Sequence, residues 1–344
     1  MPARALLKSL FFAALLVPGA ARGGGFEIDG QSPAGTAMAG ALTAFPVDAA
    51  AIFYNPAGLV LQRGGSVLAG TSLATASTRL VSAGGLRVDA ERTLLPLPIV
   101  YAAAPLGARV AVGIGVFSQF AGATAWPALA TAADGTTAPF PGRFLATRAA
   151  IHTVTINPTV AFLATERIAF GAGLDVVLAS ADLRRDLSLG DGEGTFSAAG
   201  SARAVGANLG VLADILPGRL SFGFAYRTGT TLAFDLKAHF DAPAELRAVL
   251  VDQPASLALP LPHQIAVGVA LRPIDRLTIA VDARAVDPHR EAADRRAGRH
   301  REHVRRLEAL AGVVAEHLLD ARLRGALDLA RGSNTFIAAP ARMH

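Results

Sequence analysis

The stretch Arg219-Leu220-Ser221-Phe222-Gly223-Phe224-Ala225-Tyr226-Arg227 decides how this chain folds. Leu220, Phe222, Phe224 and Tyr226 alternate with Ser221, Gly223, Ala225 and Arg227, which puts every large apolar side chain on one face of an extended strand. The rhythm recurs on both sides. Val110, Val112, Ile114 and Val116 alternate with Ala111, Gly113 and Gly115. Ile265, Val267, Val269 and Leu271 do the same, as do Leu277, Ile279 and Val281. Strands are expected at 66–80, 97–104, 109–119, 148–164, 167–181, 201–214, 219–228, 231–240, 264–272 and 276–286, nine or ten in all.

Alternation alone also suits a soluble sandwich with one face on its core. Three features favour a membrane barrel. The strands exceed the usual soluble length of ~5–6 residues and approach the ~9–11 of a tilted membrane-crossing strand. The face opposite the apolar one is rich in Gly, Ala, Ser and Thr with occasional Arg and Asp, as suits a lumen. The third is export without a membrane helix. Arg4 and Lys8, the apolar run Leu10–Val17 and the small residues Gly19-Ala20-Ala21 read as a secretory signal over residues 1–22.

Of the 344 residues, 52% are hydrophobic and 17% charged, with 35 Gly and no Cys. That excludes a disordered polymer, a disulfide scaffold and a cysteine-ligated metal centre. Mean hydropathy is +0.41, yet Gly, Ser, Thr, Arg or Asp breaks the mature chain every few positions, short of the ~18 apolar residues a spanning helix needs. A hydrophobic chain without such a helix is left with a large core or a barrel in lipid. The formal net charge of +5 is uneven: the last 58 residues hold 11 of the 30 Arg and 5 of the 8 His.

The mature N-terminus carries Gly24-Gly25-Phe26-Glu27-Ile28-Asp29-Gly30-Gln31-Ser32, then Asp48-Ala49-Ala50-Ala51-Ile52-Phe53-Tyr54-Asn55-Pro56-Ala57-Gly58-Leu59. Ile156-Asn157-Pro158-Thr159, Gly171-Ala172-Gly173-Leu174, Asn208-Leu209-Gly210-Val211 and Leu261-Pro262 follow in order. Over about residues 24–286 this resembles the FadL/TodX-type outer-membrane transporters of long-chain fatty acids and aromatic hydrocarbons. The resemblance implies an all-β fold, a transmembrane antiparallel β-barrel of 14 strands in the family, with an N-terminal hatch in the lumen. It implies passage of a hydrophobic ligand that is captured outside, held in an apolar pocket and released sideways through the wall. A multi-pass barrel in a Gram-negative outer membrane is the expected location, with outer-membrane lipid around it and the barrel assembly machinery as a partner. A complete barrel is expected to be a monomer.

Asn55, Pro56, Ala57 and Gly58 match the hatch signature, where Pro fixes φ and an Asn side chain caps the adjoining turn. Phe26 matches an aromatic that approaches the ligand in the family, with packing of plug against wall as its plainer role. Trp126, Phe140 and Phe144 lie in or beside the long connection 120–144, which also carries Pro127, Pro139 and Pro141. They suit an extracellular capture groove or an interfacial aromatic belt. Arg143 and Arg148 suit a carboxylate ligand or ordinary rim charges. No cofactor, metal, nucleic acid or catalytic residue is expected. Gly171-Ala172-Gly173 lacks the third glycine and the helix of a dinucleotide loop. Asp191-Gly192-Glu193 lacks a full set of cation ligands. His152, His239 and His263 are isolated, and there is no Gly-x-Ser-x-Gly elbow. The alternatives from other classes are a secreted β-structured binding or adhesion protein and an outer-membrane enzyme acting on lipid.

The expected organisation is a signal at 1–22, a hatch at 23–65, barrel strands at 66–286 and an atypical Arg/Ala-rich tail at 287–344. In the tail, alternation gives way to Val304, Leu307, Ala311, Val314, Leu318 and Ala321 at helical spacing. The tail is expected to be helical or disordered. Two origins are open for it, an amphipathic helix outside the barrel or a reading frame lost near residue 287. The second is favoured by 30 Arg against 2 Lys, the bias of a G/C-rich gene. A wall without the family's remaining strands would leave two unpaired edges in hydrocarbon.

Overall fold

The computed structural model describes residues 26–82, 86–131, 135–190 and 192–287. The expected signal and the tail beyond Asp287 lie outside them. Among the described residues, Ala244–Val251 is a unit of its own, a 3-10 turn at Ala244–Leu246 closed by bonds from Val249 and Leu250 to Leu246 O. The rest is one unit.

That unit is an antiparallel sheet whose main path is β1 (Ser66–Ala76), β4 (Thr93–Pro105), β5 (Val110–Phe117), β9 (Arg148–Leu163), β10 (Ile168–Ser188), β11 (Glu193–Leu216), β12 (Leu220–Arg227), β15 (His263–Ile274) and β16 (Leu277–Asp287). Three of these strands are continued by a second piece. β6 (Ala121–Ala125) follows β5 along β9, β13 (Thr230–Asp241) follows β12 along β11, and β14 (Gln253–Leu261) precedes β15. The described wall therefore has nine passes, with β1 and β16 at its two edges. The segments 219–228 and 231–240, expected as two strands, are one bent pass. Alternation breaks at Thr228-Gly229 because the inward face changes from odd-numbered Arg227 to even-numbered Leu232 and Phe234, an extra residue as in a bulge.

Connections at one rim are short, as at Pro217–Arg219 and Thr165–Arg167, while the other rim carries the long ones, between β1 and β4 and between β6 and β9, beside a tight turn between β10 and β11. Long loops mark the extracellular rim. The connection expected over 120–144 is not plain loop: it holds β6 and a hairpin of β7 (Leu129–Thr131) and β8 (Thr137–Pro139). That hairpin packs on another, β2 (Arg79–Val81) with β3 (Arg87–Asp89), through Val88, Ala130 and Phe140. On β10 the outward residues Ile168, Phe170, Leu174 and Leu178 are exposed and apolar, and Ser180 ends the series. Ten residues of tilted strand give a band of about 25 Å, the height of the apolar girdle of outer-membrane barrels.

The N-terminal segment expected as a hatch, called by that name below, lies against the inner faces of these strands. It holds α1 (Pro33–Ala37), α2 (Ala51–Tyr54) and a 3-10 turn at Pro56–Leu61. Ser32 Oγ caps α1 by accepting from Gly35 N at 2.9 Å. Ile52, Phe53, Tyr54 and Leu59 pack against Ile99 and Tyr101 of β4, Ala111 and Phe117 of β5, and Ala161 of β9. This is the largest core among the described residues, and it joins hatch to wall.

Candidate functional site

Asn55 fixes the hatch. Its side chain is fully buried, and its amide donates to Thr43 O at 2.7 Å within the hatch and to Val211 O of β11 at 3.0 Å. Its carbonyl oxygen accepts from Ala57 N at 3.2 Å, capping the turn that Pro56 opens. Pro56 and Ala57 lie so close to the wall that a Cβ on Gly171 would overlap the Pro56–Ala57 peptide, and one on Gly210 would overlap Asn55 Oδ1. Wall glycines thus mark where the hatch rests. Asn55, Pro56 and Ala57 rest on the wall, while Gly58 faces inward to the hatch itself, where a Cβ would overlap the Pro46 ring.

Beside this contact the lumen has a polar layer. Asp175 of β10 and Arg227 of β12 form an ion pair at 2.5 Å while only 3% and 7% exposed. Asn157 of β9 donates to Asp175 at 2.7 Å and to Asn208 of β11 at 3.0 Å. Asn208 Nδ2 donates to Ile52 O at 2.8 Å, and Arg227 Nη2 donates to Phe53 O at 3.2 Å, so the layer also carries the backbone of α2. A second group continues it. Glu27 is held by Arg284, by Gln264 Nε2 at 2.7 Å and by Gln119 Nε2 at 3.4 Å. Burial pushes the Glu27 carboxyl above its usual range, with Arg284 opposing. Tyr54, which donates to Asp29 O at 2.8 Å, is pushed up to about 12, chiefly by burial.

Towards the extracellular side the inner wall turns apolar. Val177, Ala179 and Ala181 of β10, Ala198, Ala202 and Ala204 of β11, and Leu232, Phe234 and Leu236 of β13 form one cluster with Phe120 and Leu261. Phe26 joins its lower end, edge-on to Phe120 at 5.6 Å between centroids. The arrangement is an apolar wall above a polar floor.

Of the residues singled out from sequence, Phe26 alone reaches this wall. Trp126 stacks on Phe140 at 4.9 Å in the small core between the two extracellular hairpins. Phe144 lies under the Arg143 guanidinium at 4.2 Å. Arg143 is paired with Glu193 at 2.6 Å and Arg148 with Asp182 at 2.9 Å, so each of these cations already has a carboxylate. Sequence reading missed the polar floor and the apolar wall. The floor had a signal, since Asp175, Asn157 and Asn208 interrupt runs of small and apolar residues. The wall had little, because alanine on the inner face is common to any lumen. Two larger cavities, of about 240 and 220 Å3, flank the hatch near the short-turn rim and near Arg284, away from the apolar wall.

Comparison with known proteins places these features. The family model of outer membrane transport proteins (OmpP1/FadL/TodX) matches residues 14–287. No curated protein sequence matches the chain. The fold is similar to that of a FadL homologue of Pseudomonas aeruginosa, with a TM-score of 0.59, 16% identity and coverage of 76% of this chain and 69% of that one. It is also similar to the toluene transporter TbuX of Ralstonia pickettii, with a TM-score of 0.57, 19% identity and coverage of 76% and 72%. The toluene transporter TodX of Pseudomonas putida follows at 0.55, with 18% identity and coverage of 73% and 68%. With the antiparallel wall, the docked hatch and a family match over most of its length, the chain belongs to the OmpP1/FadL/TodX family of outer-membrane transport proteins for hydrophobic compounds.

Proposed function

We propose that the chain passes uncharged hydrophobic molecules, of the monoaromatic hydrocarbon class, from the extracellular rim into the outer membrane. The observation that carries this reading is the apolar wall of Val177, Ala179, Ala202, Ala204, Leu232, Phe234 and Leu236, which offers apolar contact to a ring. A fatty-acid carboxylate needs a free cation, and Arg143 and Arg148 are each matched by an acid. Burial of apolar surface, at about 25 cal/mol per Å2, collects such a ligand without any energy source. The polar floor then bars the way down, because an apolar solute would have to displace paired charges to pass. Two of the similar structures, TbuX and TodX, are toluene transporters, which agrees with this choice of ligand.

In this reading the protein binds and conducts without chemistry on its ligand, residues 23–65 act as the hatch, and outer-membrane lipid covers the outward face. The barrel assembly machinery inserts it, and it works as a monomer. Uptake of labelled toluene and oleate by cells lacking their own transporter tests it. Toluene entering at least several-fold faster than in empty cells, with oleate near background, is expected. Absence of both would overturn transport, and oleate entering as fast as toluene would overturn the preference for an uncharged ligand.

A further inference from the structure

The hatch meets the wall by direct bonds in some places and leaves space in others. At the break between β5 and β6, Ala121 N donates to Phe26 O at 3.0 Å and Ile28 N donates to Gln119 O at 2.8 Å. Beside β12, Ser221 Oγ donates to Ala44 O at 2.8 Å. Next to Ala44, at the short-turn rim, hatch and wall separate and enclose the cavity of about 240 Å3. Its bed is apolar, with Phe45, Pro46 and Leu61 from the hatch and Leu163, Ala169 and Leu212 from β9, β10 and β11.

The mouth of this cavity is cationic. Ala169, Ser221 and Ala270 line it on β10, β12 and β15, and Arg167, Arg219 and Arg272 stand two residues further toward the rim, on the same face. Backbone bonds hold these strand ends side by side. Asp214 N donates to Arg167 O at 2.8 Å, and Arg272 N donates to Arg219 O at 2.7 Å. The row around the mouth therefore reads Arg167, Asp214, Arg219, Arg272, and Glu166 in the β9–β10 turn adds a second acid. Asp214 Oδ2 accepts from Gly218 N at 3.1 Å. Arg219 reaches Pro273 O at 3.4 Å, and Arg272 reaches Thr278 Oγ1 at 3.5 Å while its guanidinium lies 5.4 Å from the centre of the Phe45 ring. Among the described residues these three arginines form no ion pair. Arg227 and Arg284, which line the other cavity beside the hatch, are bonded to Asp175 and to Glu27 and Asp29. That cavity is matched in charge within the chain, and the one at the rim is left with cations to spare.

We propose that the rim cavity binds a small amphipathic carboxylate from the periplasm, its ring or short chain on the apolar bed and its carboxylate among Arg167, Arg219 and Arg272. An apolar bed alone would take a hydrocarbon, and arginines alone would take any anion. The two together select a molecule that has both parts. At about 240 Å3 the space falls below the ~300–1,000 Å3 of drug-sized sites, which sets the ligand at a ring or short chain and leaves a long acyl chain outside. Such a ligand touches hatch and wall at once, so it binds the docked hatch and not a displaced one. At a hundredfold excess over its Kd it favours docking about a hundredfold. The site lies on the far side of the hatch from the apolar wall and stands whether or not toluene is the cargo.

Benzoate is the probe, with benzyl alcohol as its uncharged counterpart and inorganic phosphate as an anion without a ring. Binding to the full chain in nonionic detergent micelles is followed by saturation-transfer NMR. Its place is read by maleimide labelling, which has no background because the chain has no cysteine of its own. Leu61→Cys puts a thiol in the cavity at a position 53% exposed, and Leu106→Cys puts one at the same rim outside it, at 62%. Benzoate is expected to slow labelling of Leu61→Cys at least fivefold and that of Leu106→Cys less than twofold. Arg167→Gln with Arg272→Gln is expected to raise the benzoate Kd at least tenfold, whereas Arg109→Gln, in the β4–β5 turn, leaves it within twofold. Cleavage of the hatch by proteinase K should slow in step with benzoate occupancy. No protection of Leu61→Cys by benzoate, equal protection by benzyl alcohol, or a Kd indifferent to both arginines overturns the carboxylate site. Protection by phosphate as strong as that by benzoate overturns the amphipathic ligand. Failure of toluene uptake by the unmodified chain bears on the transport reading alone and leaves these outcomes as they are.

Discussion

Asn55 spends both ends of one amide on three backbone groups in two parts of the molecule, and this explains why neither Asp nor Gln serves there. Asp has no donor for Thr43 O and Val211 O, and Gln is a methylene too long for a site with no free volume. Asn55→Ala strands two buried carbonyls and one amide at the start of the 3-10 turn. At about 1–3 kcal/mol for each buried group left unsatisfied, we expect a loss of ~3 kcal/mol, seen as faster proteolysis of the hatch and a lower temperature for the heat-modifiable shift. The Asp175–Arg227 pair behaves differently. Removing either partner alone, by Asp175→Asn or Arg227→Met, leaves a buried polar or charged group without its match and is expected to cost ~3–5 kcal/mol. The double variant should cost less than the sum of the two. Denaturant titration of the folded band measures all three, and additive losses would mean that the two side chains are not coupled.

The N-terminal segment Phe26–Ile28 works as an element, a short strand inserted into a broken one, and it carries a titrating group. Burial raises the Glu27 pKa above its ordinary 4.5, so the docked segment binds a proton more tightly than the free one. Docking is therefore favoured at low pH and weakens as pH rises from about 4.5 through the raised value. Maleimide labelling of Ile28→Cys is expected to quicken over that window, and Glu27→Gln, which stays neutral, should flatten the dependence. A rate that falls with rising pH would reverse the assignment. At this scale the sequence was informative wherever period two is clean, as in Leu220–Tyr226 or Ile265–Leu271. It failed at corners, where a single extra residue at Thr228-Gly229 moves the inward face from one parity to the other and splits one pass into two apparent strands. It also failed at 253–261, where Pro254 and Pro260 hide a strand that pairs with β13. The glycines of Gly171-Ala172-Gly173 were legible as strand but not in purpose, because Gly171 makes room for Pro56, far away in the chain, and Gly173 for the side chains of Asn157, Thr159 and Asn208.

Across the whole molecule, the lumen is layered from apolar wall to polar floor, and in the proposed transport that layering decides where a ligand is held while its concentration gradient sets the direction. A ring-sized solute hiding about 200 Å2 gains ~5 kcal/mol from apolar contact, enough to hold it above the floor and too little to pull it through paired charges. A carboxylate placed in the apolar wall should undo this while leaving the outer face and the hatch untouched. Leu236 is suited to the test, because it lies in the wall cluster on β13 opposite Gly200 and Ala255, away from Asn55 and from the Asp175–Arg227 pair. Leu236→Asp is expected to lower toluene uptake tenfold or more with the heat-modifiable band retained. Leu236→Phe, which keeps the surface apolar, should lower it by no more than about threefold. The contrast matters because a narrowed lumen and a charged lumen predict opposite orders. If the larger apolar ring blocks passage more than the smaller charged group, width and not polarity governs the path, and the account of collection by apolar contact above a polar floor is wrong.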